Sequence, residues 1–379
     1  MQHNLRVDRL IRQGKLILPA FVLVIASSTW AQTPAAHATF TDINAPEAGT
    51  LIYQGTYATC INTAGTIAGY YADQSNVYHG FIRSTAGVYT TVDAPGAGTA
   101  AYQGTEVFGI NTAGDITGYY FDSASVYHAF VQQAGGTPVS FDVTGAGTAV
   151  DQGTLAFGIN TAGDVTGYYV DSGSLNHAFR RSPSGTIAKI NFTGAGRGLG
   201  EGTLAISINA ANDLAGYYYD AGGLAHGFVG KTSSTLVAIN APGAGTGNSQ
   251  GTVVTSINAA SAVVGIYTDS IGARHGWLQP SGGSLVEFDA PGAGTQYNQG
   301  TQPYGINGGG TITGDYLDSG TVFHGFVRNA AGTVTTFNAP GAGTGLAQGT
   351  IGYSVNTAGD IVGWYFDSGT VIHGFLRTP

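Results

Sequence analysis

The sequence predicts an all-β fold, a seven-bladed β-propeller built from 49-residue, four-stranded repeats. Three observations predict it. First, His79, His128, His177, His226, His275, His324 and His373 are each separated by 49 residues, with no insertion. Second, charged residues are only 9% of the chain, while 21 Tyr, 17 Phe and many Val, Ile and Thr supply strand formers. The 62 Gly then read as turn residues. Third, no segment carries a helical apolar period.

The N-terminus stands apart. "MQHNLRVDRLIRQGK" is basic, "LILPAFVLVIASS" is apolar and "TWAQT" is small and polar. That order predicts a secretory signal peptide at residues 1–31, cleaved after Ala31. An uncleaved anchor is the alternative, although the apolar run is short for a membrane span. Residues 32–39 read as a short linker and 40–379 as the propeller, so the mature protein is expected to be secreted or periplasmic with no stable membrane span. The leader takes four of the 13 basic and one of the 22 acidic residues, leaving 9 and 21, a net of −12. Such a chain has no basic stripe for phosphates, which argues against nucleic acid and anionic membranes as partners. Cys60 is the only cysteine, so no internal disulfide is available. It stands where other repeats have Gly or Ser, and it reads as a packing residue.

Each repeat reads as four strands. In the second they are "EVFGIN", "DITGYYF", "VYHAFVQ" and "TPVSFDV", joined by "NTAG", "DSAS" and "QAGG". A Gly-rich connection, "TGAGTAVDQGT", leads onward. One such sheet cannot bury both faces alone, whereas seven packed in a ring cover each other. An open solenoid would need distinct capping repeats, and the first and last copies look like the middle ones. The chain stops after the third strand of the last repeat, and the missing fourth strand matches "FTDINAP" at 40–46. The N-terminal strand is therefore expected to pair with the last repeat and close the ring.

The "H-G/A-F" triplets, the "INTAG-x-I-x-GYY" run and the leader resemble the HAF-repeat family of extracellular bacterial repeat proteins. The resemblance covers nearly the whole mature chain. It implies a location and an architecture more than an activity.

Tyr71, Asp73 and His79 recur as Tyr120, Asp122 and His128, then as Tyr169, Asp171 and His177, and as Tyr218, Asp220 and His226. The series continues as Tyr267, Asp269 and His275, as Tyr316, Asp318 and His324, and as Tyr365, Asp367 and His373. A catalytic centre needs such groups once, whereas a scaffold needs them in every unit. The Tyr is expected to pack between blades, the Asp to fix a turn, and the His to return into an Asp–Tyr–His hydrogen-bond network. One His and one Asp per blade are too few for zinc or calcium, so no metal and no cofactor is expected. "GAGT" and "QGT" lack the Lys and the following helix that a phosphate loop requires.

Function is sought where the copies differ. In a propeller the inter-blade connections and the turns between second and third strands open on one face, and these stretches vary most here. Tyr53, Tyr102 and Tyr297, with Asn248 and Asn298, are the candidate ligand-binding residues. Aromatic faces beside amides suit sugars, because a ring stacks on an apolar sugar face while amides bond hydroxyls. Ordinary loop drift is the competing reading. Asp315 replaces residues such as Tyr70, Tyr119 and Trp364, and is the one candidate general acid or base. A local hydrogen-bond role is the alternative. Glu47, Arg197, Glu201 and Arg274 also break the pattern, and all four read as exposed loop residues. No Ser-His-Asp order, paired carboxylates or "GxSxG" are present. The expected function is a binding module for a glycan or a surface protein. The alternatives are a polysaccharide hydrolase or lyase acting at the channel mouth, and a structural envelope or matrix protein.

Overall fold

The computed structural model describes residues 38–379. The leader and most of the linker read from the sequence lie outside them. Thr39–Pro379 form one compact unit with 28 strands, and no helix occurs among the described residues.

The first repeat shows how the sequence builds a unit. Strands β2 (Gly55–Ile61), β3 (Ile67–Ala72), β4 (Tyr78–Arg83) and β5 (Tyr89–Val92) form an antiparallel meander. Every residue of β2 and β3 is buried, because both faces of the sheet are covered. The outer β5, "YTTV", has its two threonines exposed. A bulge between Ala58 and Cys60 bends β2, and the same bulge recurs in all seven units. The second repeat follows the expected strands, with its first strand starting at Gly104 and its fourth shortened to Val139–Phe141.

The seven meanders close into an all-β ring, the propeller architecture. First strands of successive units lie against each other, and the last lies against β2. At each junction one parallel bridge joins a third strand to the next first strand, as Tyr78 to Gly104 and, at closure, Ile372 to Gly55. Gly is required there, since a Cβ on Gly55 would meet the Ile372 carbonyl oxygen at 1.9 Å.

The expected latch is present. β1 (Thr39–Ile43) pairs antiparallel with Ile372–Thr378 as the fourth strand of the last unit. It starts at Thr39, one residue before the boundary read from sequence. Phe40 packs on Phe337 and Phe375, at 6.0 and 5.9 Å between ring centroids.

The Asn of "INTAG" has two functions. Asn62 Oδ1 accepts the Ala64 and Thr66 N–H groups and shapes the turn. Its Nδ2 donates to the Asn111 carbonyl of the next unit. Asn111, Asn160, Asn209, Asn258 and Asn307 each repeat this, and Asn356 donates back to Asn62. These side chains thus make a closed circle of hydrogen bonds, all running in one direction.

Candidate binding face

The repeated residues have structural roles. Asp73 Oδ1 accepts the Ser75 and Val77 N–H groups at 2.8 Å, and its equivalents repeat the clamp. Burial acts to raise the Asp122 carboxyl, but the Val126 and Ala124 N–H groups and His128 hold it below the ordinary carboxylate range. His128 sits between two carboxylates, with Nδ1 2.8 Å from Asp142 and Nε2 3.5 Å from Asp122. The hydrogen bond to Asp142 raises its pKa despite burial, and Asp93 and Asp289 do the same for His79 and His275. In three other units Asn191, Asn240 and Asn338 stand where those second Asp residues would be.

The tyrosine departs from expectation. It joins the Asp–His pair through its ring, and in all seven units it stacks on the His at 4.7–5.2 Å between centroids. Its hydroxyl points elsewhere, as Tyr71 to Glu47, Tyr267 to Glu287 and Tyr365 to Asp42. The register places Tyr71 directly opposite His79, which brings the two ring faces together. Burial pushes the Cys60 thiol up to about 12, which keeps it protonated.

"QGT" also has a role. Gln54 Oε1 accepts the Leu51 N–H, and Nε2 donates to Gln74 O and Asn76 Oδ1, tying the connection to the turn between second and third strands. Thr56 Oγ1 accepts the Ala45 N–H. The inter-unit connections and these turns therefore share one face. Tyr53, Tyr102 and Asn298 hold the same left-handed position there, with φ of 61°, 65° and 62°. Each donates its N–H to the adjacent turn, to Thr370, Asn76 and Gly272 respectively.

The five candidate ligand residues belong to separate junctions. Tyr53 and Tyr102 are half-buried at the entries to the first and second units. Asn248 is exposed at the entry to the fifth, covering Gly223. Tyr297 and Asn298 share the entry to the sixth, where the Tyr297 ring lies over Gly272 and is 71% exposed. The repeat position of Tyr297 is occupied elsewhere by Ile52, Val150, Leu199 and Leu346, all 59–84% exposed.

At this one junction the structure gathers residues that the sequence flagged separately. Arg274, from the fifth unit, donates Nη2–H to Asn298 Oδ1 at 3.0 Å and Nη1–H to Gln302 Oε1 at 3.1 Å. Gln302 Nε2 donates to Asp315 Oδ2 at 3.2 Å. Asp315 lies directly opposite Gln302 in the sheet and is fully buried. Burial pushes its carboxyl from 3.8 to about 7, against the pull of Tyr304, Arg274 and Gln302. Its Oδ1 lacks a well-formed hydrogen bond. Burial likewise lowers the Arg274 pKa. The line Asn298–Arg274–Gln302–Asp315 thus runs from the exposed face into the core.

Gln302 escaped the sequence reading, as did Glu106 at the same repeat position, where Tyr119 Oη donates to Glu106 Oε2 at 2.9 Å. The available signal was polarity in a column otherwise filled by Tyr57, Leu155, Leu204, Val253 and Ile351. Among the described residues no three His, Cys, Asp or Glu side chains converge as metal ligands, and no helix is long and apolar enough to cross a membrane.

No family model matches the chain, and no curated protein matches it. Solved structures similar to it include the BP39L lectin from Burkholderia pseudomallei, at 9% identity over 90% of this chain and 98% of that one, TM-score 0.48. A point mutant of the Aleuria aurantia lectin in complex with Fucα1-6GlcNAc matches at 14% identity over 74% and 94%, TM-score 0.44. AofleA from Arthrobotrys oligospora matches at 13% identity over 79% and 90%, TM-score 0.44.

Proposed function

We propose that this chain is an exported seven-bladed β-propeller of the HAF-repeat kind that binds a glycan on the face carrying the inter-unit loops. The observation that carries this reading is the junction before the sixth unit. There a Tyr297 ring, 71% exposed and backed by Gly272, stands beside the planar, hydrogen-bonded pair Asn298 and Arg274. An open ring face accepts the apolar side of a sugar, and the neighbouring amide and guanidinium meet its hydroxyls. Loops on a rigid frame are where such sites form. The test is a glycan array followed by calorimetric titration of the full chain. Tyr297→Ala is expected to weaken binding by tenfold or more, and an array with no bound glycan overturns the reading.

A surface-protein partner is the second reading, favoured by the exposed Ile52, Val150, Leu199 and Leu346 at the repeat position of Tyr297. Leu199→Ser with Leu346→Ser separates the two, since it weakens a protein contact and leaves sugar binding unaltered. N-terminal sequencing of protein recovered outside the cell tests export, with Gln32 the expected first residue.

A further inference from the structure

We propose that the junction between the fifth and sixth units takes a carboxylate-bearing sugar through Arg274, with Gln302 and Asp315 as the positioning residues behind it. This rests on the glycan reading above and adds the ligand's charge.

Arg274 is singular in its column, where other units place Tyr78, Asn176, Ala225 or Phe323. It is also singular in its surroundings. Four of the nine Lys and Arg among the described residues lie over aromatic rings at third-strand ends. Lys189, on a fourth strand, lies over the Tyr169 ring. Arg180 and Lys231 face Asp164 and Asp213, in turns at the opposite ends of the strands from the variable loops. Arg197 is on the loop face but fully out on an exposed connection. Arg274 alone combines the loop face with a half-buried, anchored guanidinium.

The anchoring is directional. A guanidinium only donates, so Gln302 must present its carbonyl to Arg274 and its NH₂ to Asp315. The plane of Arg274 is thereby set from behind by Gln302 and from the side by Asn298. A pre-oriented, partly desolvated fork is the group that matches a carboxylate. The adjacent Tyr297 face supplies the platform for the sugar ring. Asp315 is fully buried and is linked to Arg274 through Gln302, so the inner carboxyl sits one amide behind the guanidinium.

The charge on Asp315 then modulates the site. The titratable groups around it are Tyr304 on its own unit's first strand, Arg274 from the preceding unit, and Tyr353 from the following one, 5.4 Å from Tyr304. Burial raises both tyrosines far above neutrality, and an arginine side chain keeps its charge in proteins, so Asp315 is the group that titrates. Below about 7 it is neutral and no longer offsets the charge that Arg274 presents to an anion.

The test titrates the full chain with trigalacturonate and with neutral galactotriose, at pH 5.5 and 8.5 in low salt. The expected result is a preference of tenfold or more for trigalacturonate at pH 5.5, shrinking several-fold at pH 8.5. Arg274→Gln removes the preference, so that trigalacturonate and galactotriose bind alike, whereas Arg274→Lys restores part of it. Asp315→Asn holds the low-pH affinity at both pH values. A structural role for Asp315 would not produce that last result, and thermal melts confirm that each variant is folded. Equal binding of the two sugars overturns this inference alone. So does a preference whose pH dependence survives Asp315→Asn. Binding of neither sugar at any pH also overturns this inference, and the glycan reading falls with it only when the array is blank as well.

Discussion

The second and sixth units fill one backbone slot in opposite ways. In the second, Glu106 on the first strand faces Tyr119 on the second. In the sixth, Gln302 faces Asp315. Both pairs are buried and cross-strand, and each contains one carboxyl. In the second unit the donor is a hydroxyl whose ring also packs on Phe108 and Phe157, so the carboxyl is anchored within an aromatic belt. In the sixth the donor is an amide whose other end is engaged by Arg274, so the carboxyl is tied to the surface. What the donor is itself attached to decides whether a buried carboxyl is tied into the core alone or linked outward to the loop face.

The largest expected effect breaks the sixth-unit arrangement. For an acid whose folded pKa is raised, the folded state binds the proton more tightly. Stability is therefore lost as pH climbs from the unfolded value of 3.8 to the folded value of about 7. That interval corresponds to about 4 kcal/mol. Denaturant unfolding of wild type and Asp315→Asn should thus agree near pH 4, with the variant more stable by up to ~4 kcal/mol at pH 8.5. Parallel curves at both pH values would show that the carboxyl is not desolvated.

A smaller effect tests the second unit. Tyr119→Phe deletes only the donor to Glu106 and should cost about 1–3 kcal/mol at neutral pH. Adding Glu106→Gln should return part of that loss, because the two residues act as one. Additive losses would mean that the pair is not coupled.

The smallest effect concerns the rim. Tyr297→Ala should change stability by less than about 0.5 kcal/mol, because the ring is mostly in water. A melting temperature that falls markedly would make the ring part of the frame and not of a binding surface.

How much of this could be read from the residues differs between frame and site. The 49-residue spacing made the strand order, the turn Asp and the latch at Phe40 legible, since each unit repeats the same local chemistry. The partner of the repeated Tyr was misjudged, because side-chain direction and ring geometry decide between stacking and hydrogen bonding and spacing does not. Asp315 and Arg274 stood out as breaks in the pattern, but Arg274 read as an exposed loop residue whereas it is half-buried at the start of a strand, and the two belong to different units, 41 positions apart. Only the closed ring brings them within one amide of each other, and the intervening Gln302 becomes visible only when its column is compared across units.

The circle of asparagines has no first member. Each amide hands its bond to the neighbour in the same rotational sense, and the link from Asn356 to Asn62 is chemically like the other six. The place where translation begins leaves no mark on it. A gene rearranged to start at another inter-unit loop, with Pro379 joined to Thr39 through a turn like those between third and fourth strands elsewhere, should encode a protein of the same shape. In that sense the order of the text is arbitrary and only its periodicity is inherited by the fold.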